Sequence, residues 1–327
     1  MPLQLLEIYA PKDFLNIEEI KDHFSVISYW YSEEEKKKHL TRILLETNDV
    51  ESMLDYLERL PGGEDVYQVM LLPVQTYLPR KKEKEEGDEK KDLQRASRHE
   101  LYTAVQGSSR ISVSYIWFII FSAIVATVGI IKSSPAIVIG AMVIAPLIGP
   151  VTAISFASVL GDFKLIRQSI ITSLVGIGIP VVIAAIFSFF FDPPIYSDEF
   201  LSRTDIQIID VIAALVSGAA GALSFVKRNT GALVGVMVSV ALLPPAVVFG
   251  MILGTGNWTE ALVPFILLMV NIYSILLSAV IVFWLSGIKP NNWQDLQKAN
   301  ISRKRSLLFI LTITVILITA ILFINFV

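Results

Sequence analysis

Polar side chains that could take part in chemistry are rare within the long apolar stretches of this chain. Asp210 places a carboxylate near the start of one stretch, and Asn271 places a carboxamide near the centre of another. Ser274 and Ser278 follow Asn271 on the same helical face. Such groups are costly in hydrocarbon and usually face a polar interior. These four residues are therefore the candidates for a solute or ion pathway.

Each candidate also has a structural interpretation that the sequence leaves open. Asp210 lies about one turn inside its stretch, so it either guards an entrance or sits in the interface and pairs with Arg203. Asn271 either presents its amide to a solute or joins helices through hydrogen bonds. The polar stripe that it forms with Ser274 and Ser278 favours a lumen over a single packing contact.

A second group of residues could act through the backbone. Proline removes a helical hydrogen bond, and a carbonyl freed in hydrocarbon must be paired or must line a cavity. The alternative is a simple kink packed against neighbouring helices. The residues predicted to break two helices are Pro146, Gly149, Pro150, Pro244 and Pro245. Gly218 and Gly221, in the segment SGAAGA, predict close helix packing, or small residues beside a pathway.

The composition excludes several kinds of chemistry. The chain has no cysteine, and its three histidines (His23, His39 and His99) all precede the first apolar stretch. An intramembrane histidine relay, a thiolate metal site and a cysteine nucleophile are therefore excluded. No base accompanies the serines, and no Walker motif is present. We expect no metal, no cofactor and no enzymatic activity.

Length and hydropathy indicate an integral membrane protein. The chain has 327 residues, of which 54% are hydrophobic, and its mean hydropathy is +0.61. A membrane helix needs about 20 consecutive apolar residues. Seven spans are predicted, at roughly 111–131, 135–160, 165–191, 206–226, 231–254, 259–286 and 306–327.

The part of the sequence that contains the predicted spans includes an internal repeat. GAMVIAPLIGP begins at Gly140, and GVMVSVALLPP begins at Gly235, 95 residues later. The same offset places the flanking apolar stretches over one another. The copies, at 111–191 and 206–286, each hold three spans, an odd number, so they face opposite sides of the membrane. Inverted repeats with matching proline- and glycine-containing spans are typical of transporters.

Basic residues at the span ends predict the orientation. Arg110, the Lys164 turn and the Lys227 turn fall on one side, which the positive-inside rule places in the cytoplasm. The N-terminus lacks the features of a signal peptide. We therefore expect a multi-pass protein of the cell membrane, in contact with lipid, with a cytoplasmic N-terminus and an extracytoplasmic C-terminus. Lys132 and Lys227 are repeat equivalents that are expected to snorkel to headgroups.

A small soluble domain precedes the membrane half. Residues 1–78 predict the order β-α-β-β-α-β of a ferredoxin-like α+β domain, with Asp49 as the N-cap of the second helix and Pro61 to Gly63 as its end. Residues 79–110 predict a charged linker and then a helix at the membrane interface, with Arg95, Arg98 and Arg110 near anionic headgroups. Residues 287–327 hold a cytoplasmic loop and the seventh span.

Three segments carry a resemblance to a known family. GAMVIAPLIGP (140–150), RTDIQIIDVIAALVSGAAGALS (203–224) and GVMVSVALLPPAVVFG (235–250) resemble the prokaryotic membrane family known as domain of unknown function 389. The resemblance covers about 110–290. It implies an integral membrane protein of bacteria or archaea, and it implies no catalytic residues.

The sequence thus favours a channel or secondary transporter for a small solute or ion. The site is expected near the midplane, between the breaks of spans two and five, and the soluble domain could regulate it. Two alternatives remain. A membrane-embedded enzyme would need clustered titratable groups, and a membrane-anchored sensor or scaffold would use the soluble domain to bind a ligand or partner. We expect a homo-oligomer and no nucleic-acid partner.

Overall fold

The structure is a computed structural model of the 327-residue chain. The chain divides into two compact units, residues 1–100 and 101–327. The residues that the structure describes are 3–11, 14–33, 39–58, 60, 66–74, 98–227 and 232–288. The predicted linker at 79–92, the Pro61 to Gly63 stop, and the seventh span at 306–327 lie outside these residues.

The first unit alternates strands and helices in the predicted order. Its elements are β1 (Leu3–Ala10), α1 (Ile17–His23), β2 (Val26–Glu33), β3 (His39–Glu46), α2 (Thr47–Glu58) and β4 (Gln68–Val74). The strands form one antiparallel sheet in the order β2-β3-β1-β4.

One face of this sheet packs against the two helices. Along β1, alternate residues such as Leu6 and Ile8 are buried, as the two-residue repeat of a strand requires. They share a core with Ile43 of β3, Ile20 of α1 and Met53 of α2. Burial of apolar surface by amphipathic elements therefore holds the unit together.

The start of α2 differs from the prediction. Asp49 is not the N-cap, because the helix already begins at Thr47, directly after β3 ends at Glu46. Asp49 lies in the first turn instead. A carboxylate in the first turn interacts favourably with the positive end of the helix dipole, as a carboxylate at the N-cap does. An acidic residue near a helix start therefore does not by itself distinguish the two positions.

Among its described residues, the regular secondary structure of the second unit is entirely helical. Its helices are α3 (Arg98–Ser108), α4 (Val113–Ile131), α5 (Pro135–Ile144), α6 (Ile148–Leu160), α7 (Phe163–Phe187), α8 (Asp198–Leu201), α9 (Ile208–Val226), α10 (Ala232–Gly254) and α11 (Trp258–Leu285). Five of these helices are long and apolar enough to cross a membrane, and α5 with α6 makes a sixth candidate bent by 54°.

Helix ends in the two halves of this unit recur at the 95-residue offset. Helix α4 starts and ends 95 residues before α9, and α7 starts 95 residues before α11. Gly161 and Gly256, also 95 residues apart, both adopt positive φ, at 73° and 82°. Glycine tolerates this left-handed conformation, so it ends the helix before each turn.

Candidate functional site

The site region begins at the bend between α5 and α6. Residues 145–147 are not helical, and they contain Pro146, whose missing N–H cannot continue the hydrogen-bond ladder of α5. The carbonyl of Ala145 at the end of α5 accepts a hydrogen bond from Ser239 Oγ of α10, at 3.0 Å. A neighbouring helix thus pairs a carbonyl that the interrupted helix leaves exposed.

Gly149 and Pro150 begin a helix rather than interrupt one. They lie in the first turn of α6, where a missing N–H costs no intrahelical hydrogen bond. Gly149 serves close packing, because a Cβ at this position would meet the carbonyl oxygen and Cβ of Ser108 at the end of α3. The predicted interruption of the span is thus confined to residues 145–147.

The predicted break at Pro244 and Pro245 is wrong, because α10 is helical from Ala232 to Gly254 with both prolines inside it. Pro245 has no N–H for the carbonyl of Ala241, four residues earlier. Asn271 Nδ2 of α11 donates to that oxygen instead, at 2.8 Å. This replacement donor lets α10 continue through the prolines, as neighbouring helices commonly allow.

The other end of the Asn271 side chain has no partner. Asn271 is only 4% exposed, and within the described part of the chain its Oδ1 atom is buried without a hydrogen bond. The carbonyl of Ala241 needs a donor, so the amide nitrogen must face it and Oδ1 must point elsewhere. The result is an acceptor inside an apolar bundle that is free to receive a donor or a cation.

Ser274 and Ser278 are buried, and their hydroxyls are occupied. Ser274 Oγ donates to the carbonyl of Val270 at 2.8 Å, and Ser278 Oγ donates to that of Ile275 at 3.1 Å. Bonds of this kind satisfy serine within its own helix. Of the three polar residues in the predicted stripe, Asn271 alone has a side-chain atom left without a hydrogen bond.

The two glycines of SGAAGA have different surroundings. A Cβ on Gly218 would collide with Ser278 Oγ and with the Ile275 backbone of α11, so α9 and α11 approach closely there. A Cβ on Gly221 would meet Ile148 and Thr152 at an ordinary 3.5 Å. Gly218 is therefore the position where the absence of a side chain sets the helix spacing.

Asp210 caps the helix in which it lies. It is the third residue of α9, and its Oδ2 atom accepts from the backbone N–H of Gln207 at 3.0 Å, as part of a capping box. The structure gives it no ion pair with Arg203 among the described residues, and the Nε atom of Arg203 is buried without a partner. The alternative pairing of Asp210 with Arg203 is therefore not present.

The apolar side of helix α3 is buried within the protein. Leu101 and Val105 of its apolar side are covered by protein, at 1% and 0% exposure. This side of α3 therefore faces protein, while the expected place of residues 93–110 at the membrane interface stays a prediction. Arg110 is exposed, whereas Arg95 and the side chain of Arg98 lie outside the described atoms.

Two hydrogen bonds fasten α3, one from its middle and one at the residue that follows it. Tyr102 OH donates to Asp162 Oδ2 at 2.7 Å, and Thr172 Oγ1 donates to the carbonyl of Ser109 at 2.7 Å. Burial, reinforced by the hydrogen bond and charge of Asp162, raises the pKa of Tyr102 to about 12. The phenol therefore stays a proton donor throughout the physiological range.

These contacts were not predicted from the sequence. Asp162 directly follows Gly161 and caps α7 through the N–H of Leu165, at 3.0 Å, which a search for helix caps could have found. No spacing in the sequence points to Tyr102, since its partner is 60 residues away. The role of Ser239 at the bend was missed for the same reason.

The comparisons with known proteins concern this same region. The family described as Domain of unknown function (DUF389) matches residues 142–277, from the end of α5 to the middle of α11. An uncharacterised protein of Methanocaldococcus jannaschii is 33% identical over 301 residues, which cover 91% of this chain and 92% of that protein. No solved structure matches.

Proposed function

The chain belongs to the DUF389 family, and we propose that it is a membrane transport protein, a channel or secondary transporter for a small solute or ion. The observation that carries this proposal is the unpaired Oδ1 atom of buried Asn271 in an apolar bundle. An unsatisfied buried acceptor costs about 1–3 kcal/mol, so the group calls for an explanation, and contact with a transported solute or ion supplies one.

The proposed architecture is two inverted three-helix repeats plus a seventh span, with α5 and α6 together forming one bent span. The 95-residue offset of the helix ends supports it. So does a reciprocal packing pattern. The first and third helices of each half pack together, as α4 with α7 and α9 with α11. The third helix of each half also packs on the middle of the other, as α7 with α10 and α11 with α6.

The proposed site lies between the bend at 145–147 and the middle of α10 and α11. Ser239 joins the bend to α10, Asn271 joins α10 to α11, and Ser155 of α6 donates to the carbonyl of Leu276 of α11, at 3.2 Å. Asn271 Oδ1 is the proposed first contact of the solute. Ser274 and Ser278 support α11 beside it, and Asp210 marks the outer entrance.

The proposal includes the location of the protein, the orientation of its termini and its oligomeric state. We place it in the cell membrane, with the N-terminus in the cytoplasm and the C-terminus outside, as a homo-oligomer in contact with lipid. The basic residues at the span ends support this orientation. The described helices that are long enough to span support the membrane location.

A second candidate is a membrane-anchored sensor in which the first unit binds a ligand or partner. The observation that favours it is the sheet order β2-β3-β1-β4 in a β-α-β-β-α-β chain, which supports the proposal of a ferredoxin-like domain. Many unrelated functions use that arrangement, so it supports an interaction role without defining one. In the transport proposal the same unit would regulate the pathway.

Flux measurements on purified protein in liposomes test the proposal, with inorganic ions, protons and small organic acids as the panel. Asn271→Ala removes the unpaired acceptor and should change the flux of a transported species. Ser158→Ala of α6 is the matched control, since its hydroxyl is also buried, already pairs with the carbonyl of Ile154, and has no part in the proposed site. Absence of flux from folded, inserted wild-type protein across the panel would favour the sensor.

A further inference from the structure

Two buried serines of α7, Ser169 and Ser173, form a pair that we call the serine pair. Ser169 is fully buried and Ser173 is 8% exposed, and within the described part of the chain neither Oγ atom has a hydrogen-bond partner. The two residues are four positions apart, so they lie one turn from each other on the same helix face. An unpaired buried hydroxyl costs free energy, and two of them in adjacent turns call for one common explanation.

The serine pair could have bonded within its own helix. A helical serine commonly donates to the carbonyl four residues earlier, as Ser158 does to that of Ile154 at 2.7 Å. Neither Ser169 nor Ser173 makes such a bond. Because both residues are buried, their hydroxyls point away from the carbonyls of α7 and into the space between α7 and its neighbours.

The serine pair lies next to the bend at 145–147. Gly176 is three residues beyond Ser173, and a Cβ on Gly176 would meet Cδ2 of Leu147 in the bend at 3.1 Å. In the other direction α7 ends within two turns of the pair, near the exposed Lys164. The pair therefore lies on α7 between the bend and the end of the helix that carries Lys164.

The helices that pack against this part of α7 carry no charge. Helices α4, α6 and α10 contact α7 and contain no Asp, Glu, Lys or Arg, and α7 itself contains none beyond Arg167. An ion without a counter-charge is costly in such surroundings. A hydroxyl, in contrast, both donates and accepts hydrogen bonds without any charge. The chemistry of the pair therefore suits an uncharged ligand that carries hydroxyl or amide groups.

We propose that Ser169 and Ser173 form a hydrated binding position for a small uncharged solute that both donates and accepts hydrogen bonds. Water bonds to the two hydroxyls and is exchanged for the polar groups of the solute. The solute then passes from this position to the bend and to Asn271. This inference rests on the proposed function, and it names the class of molecule that the pathway carries.

Cysteine labelling tests the hydrated position, because the natural chain has no cysteine. Ser169→Cys and Ser173→Cys are made separately in the full chain and purified in detergent. The matched control is Ser122→Cys in α4, because the Ser122 hydroxyl is also fully buried but donates to the carbonyl of Ala141 at 2.8 Å. A thiol reacts as its thiolate, which needs water, so N-ethylmaleimide should label both variants at least about tenfold faster than the control. Labelling no faster than that of Ser122→Cys would overturn the hydrated position.

Charged reagents test the class of ligand. Each rate at Ser173→Cys is divided by the rate of the same reagent at Lys164→Cys, where the side chain is exposed. For methanethiosulfonates that carry an ammonium or a sulfonate group, this ratio should be about tenfold lower than for uncharged N-ethylmaleimide. Equal ratios would overturn the preference for uncharged molecules.

Urea entry into liposomes separates this inference from the proposed function. Urea is small and uncharged, and it both donates and accepts hydrogen bonds, so the protein should admit it and Ser169→Ala with Ser173→Ala should slow its entry. Urea entry that the double variant leaves unchanged, or ion flux without urea entry, would overturn the inference. Fast labelling of both cysteines in a protein that admits neither urea nor ions would support the hydrated position and overturn the transport proposal.

Discussion

The side-chain amide of Asn271 donates to the carbonyl of Ala241, which Pro245 has deprived of its helical donor. Because of this contact, α10 continues as a helix through Pro244 and Pro245. The contact also fixes the direction of the amide and leaves Oδ1 as the unpaired acceptor.

Replacement of Asn271 by leucine should destabilise the bundle by about 1 kcal/mol, because the Ala241 carbonyl loses its donor in an apolar environment. In a Pro245→Ala background the new backbone N–H serves that carbonyl, so the cost of Asn271→Leu should shrink. Thermal unfolding of the wild type, the two single variants and the double variant in detergent gives the coupling between the two positions. Equal costs in both backgrounds would contradict the pairing of Asn271 with the freed carbonyl.

Gly218→Leu should separate α9 from α11 and lower stability by about 1–3 kcal/mol, since its side chain would overlap Ile275 and Ser278. The matched control is Gly178→Ala in α7, where a Cβ meets nothing within 4 Å. There, alanine should be neutral or stabilising by up to about 1 kcal/mol. Both are measured by unfolding in the same detergent, and a tolerated leucine at Gly218 would refute the close approach.

Two substitutions at Asp210 can separate the effect of its charge from the effect of its capping hydrogen bond. Asp210→Asn keeps a side-chain oxygen for the N–H of Gln207, whereas Asp210→Ala removes the cap at a cost of about 1 kcal/mol. If the carboxylate guards an entrance, asparagine should change ion flux in liposomes while stability is retained. Flux altered only by alanine, together with lower stability, would assign Asp210 to the cap alone.

The hydrogen bond of Tyr102 with Asp162 should resist alkaline pH. Because the pKa of Tyr102 is raised to about 12 from 10.0, its contribution is fully present below pH 10 and disappears as the pH rises to about 12. Tyr102→Phe should therefore increase hydrogen exchange in α3 at pH 7 and abolish this alkaline transition. Unchanged exchange in the variant would show that the phenol does not hold α3.

Apolar runs were enough to place the long helices. The predicted spans 111–131 and 259–286 correspond to α4 and α11 within two residues at each end. The strands of the first unit followed from alternation in the same way. These features depend on neighbours in sequence, so the sequence alone reveals them.

The site depends on distant partners, and there the sequence was less informative. Pro244 and Pro245 suggested a break, because the donor that repairs the helix, Asn271, is 30 residues away. Leu101 and Val105 suggested a lipid-facing helix, because an apolar side packs equally well on lipid or on protein. Only the fold shows which carbonyl each polar side chain reaches.

The pairing of Asn271 with Ala241 also bears on biogenesis. Synthesis proceeds from the N-terminus, so the proline-containing segment of α10 leaves the ribosome 30 residues before its donor. A lone α10 would reach lipid with a bare carbonyl, which costs free energy in hydrocarbon. We therefore expect the insertion machinery to hold α10 until α11 arrives, and to release the two into the bilayer together as a hairpin.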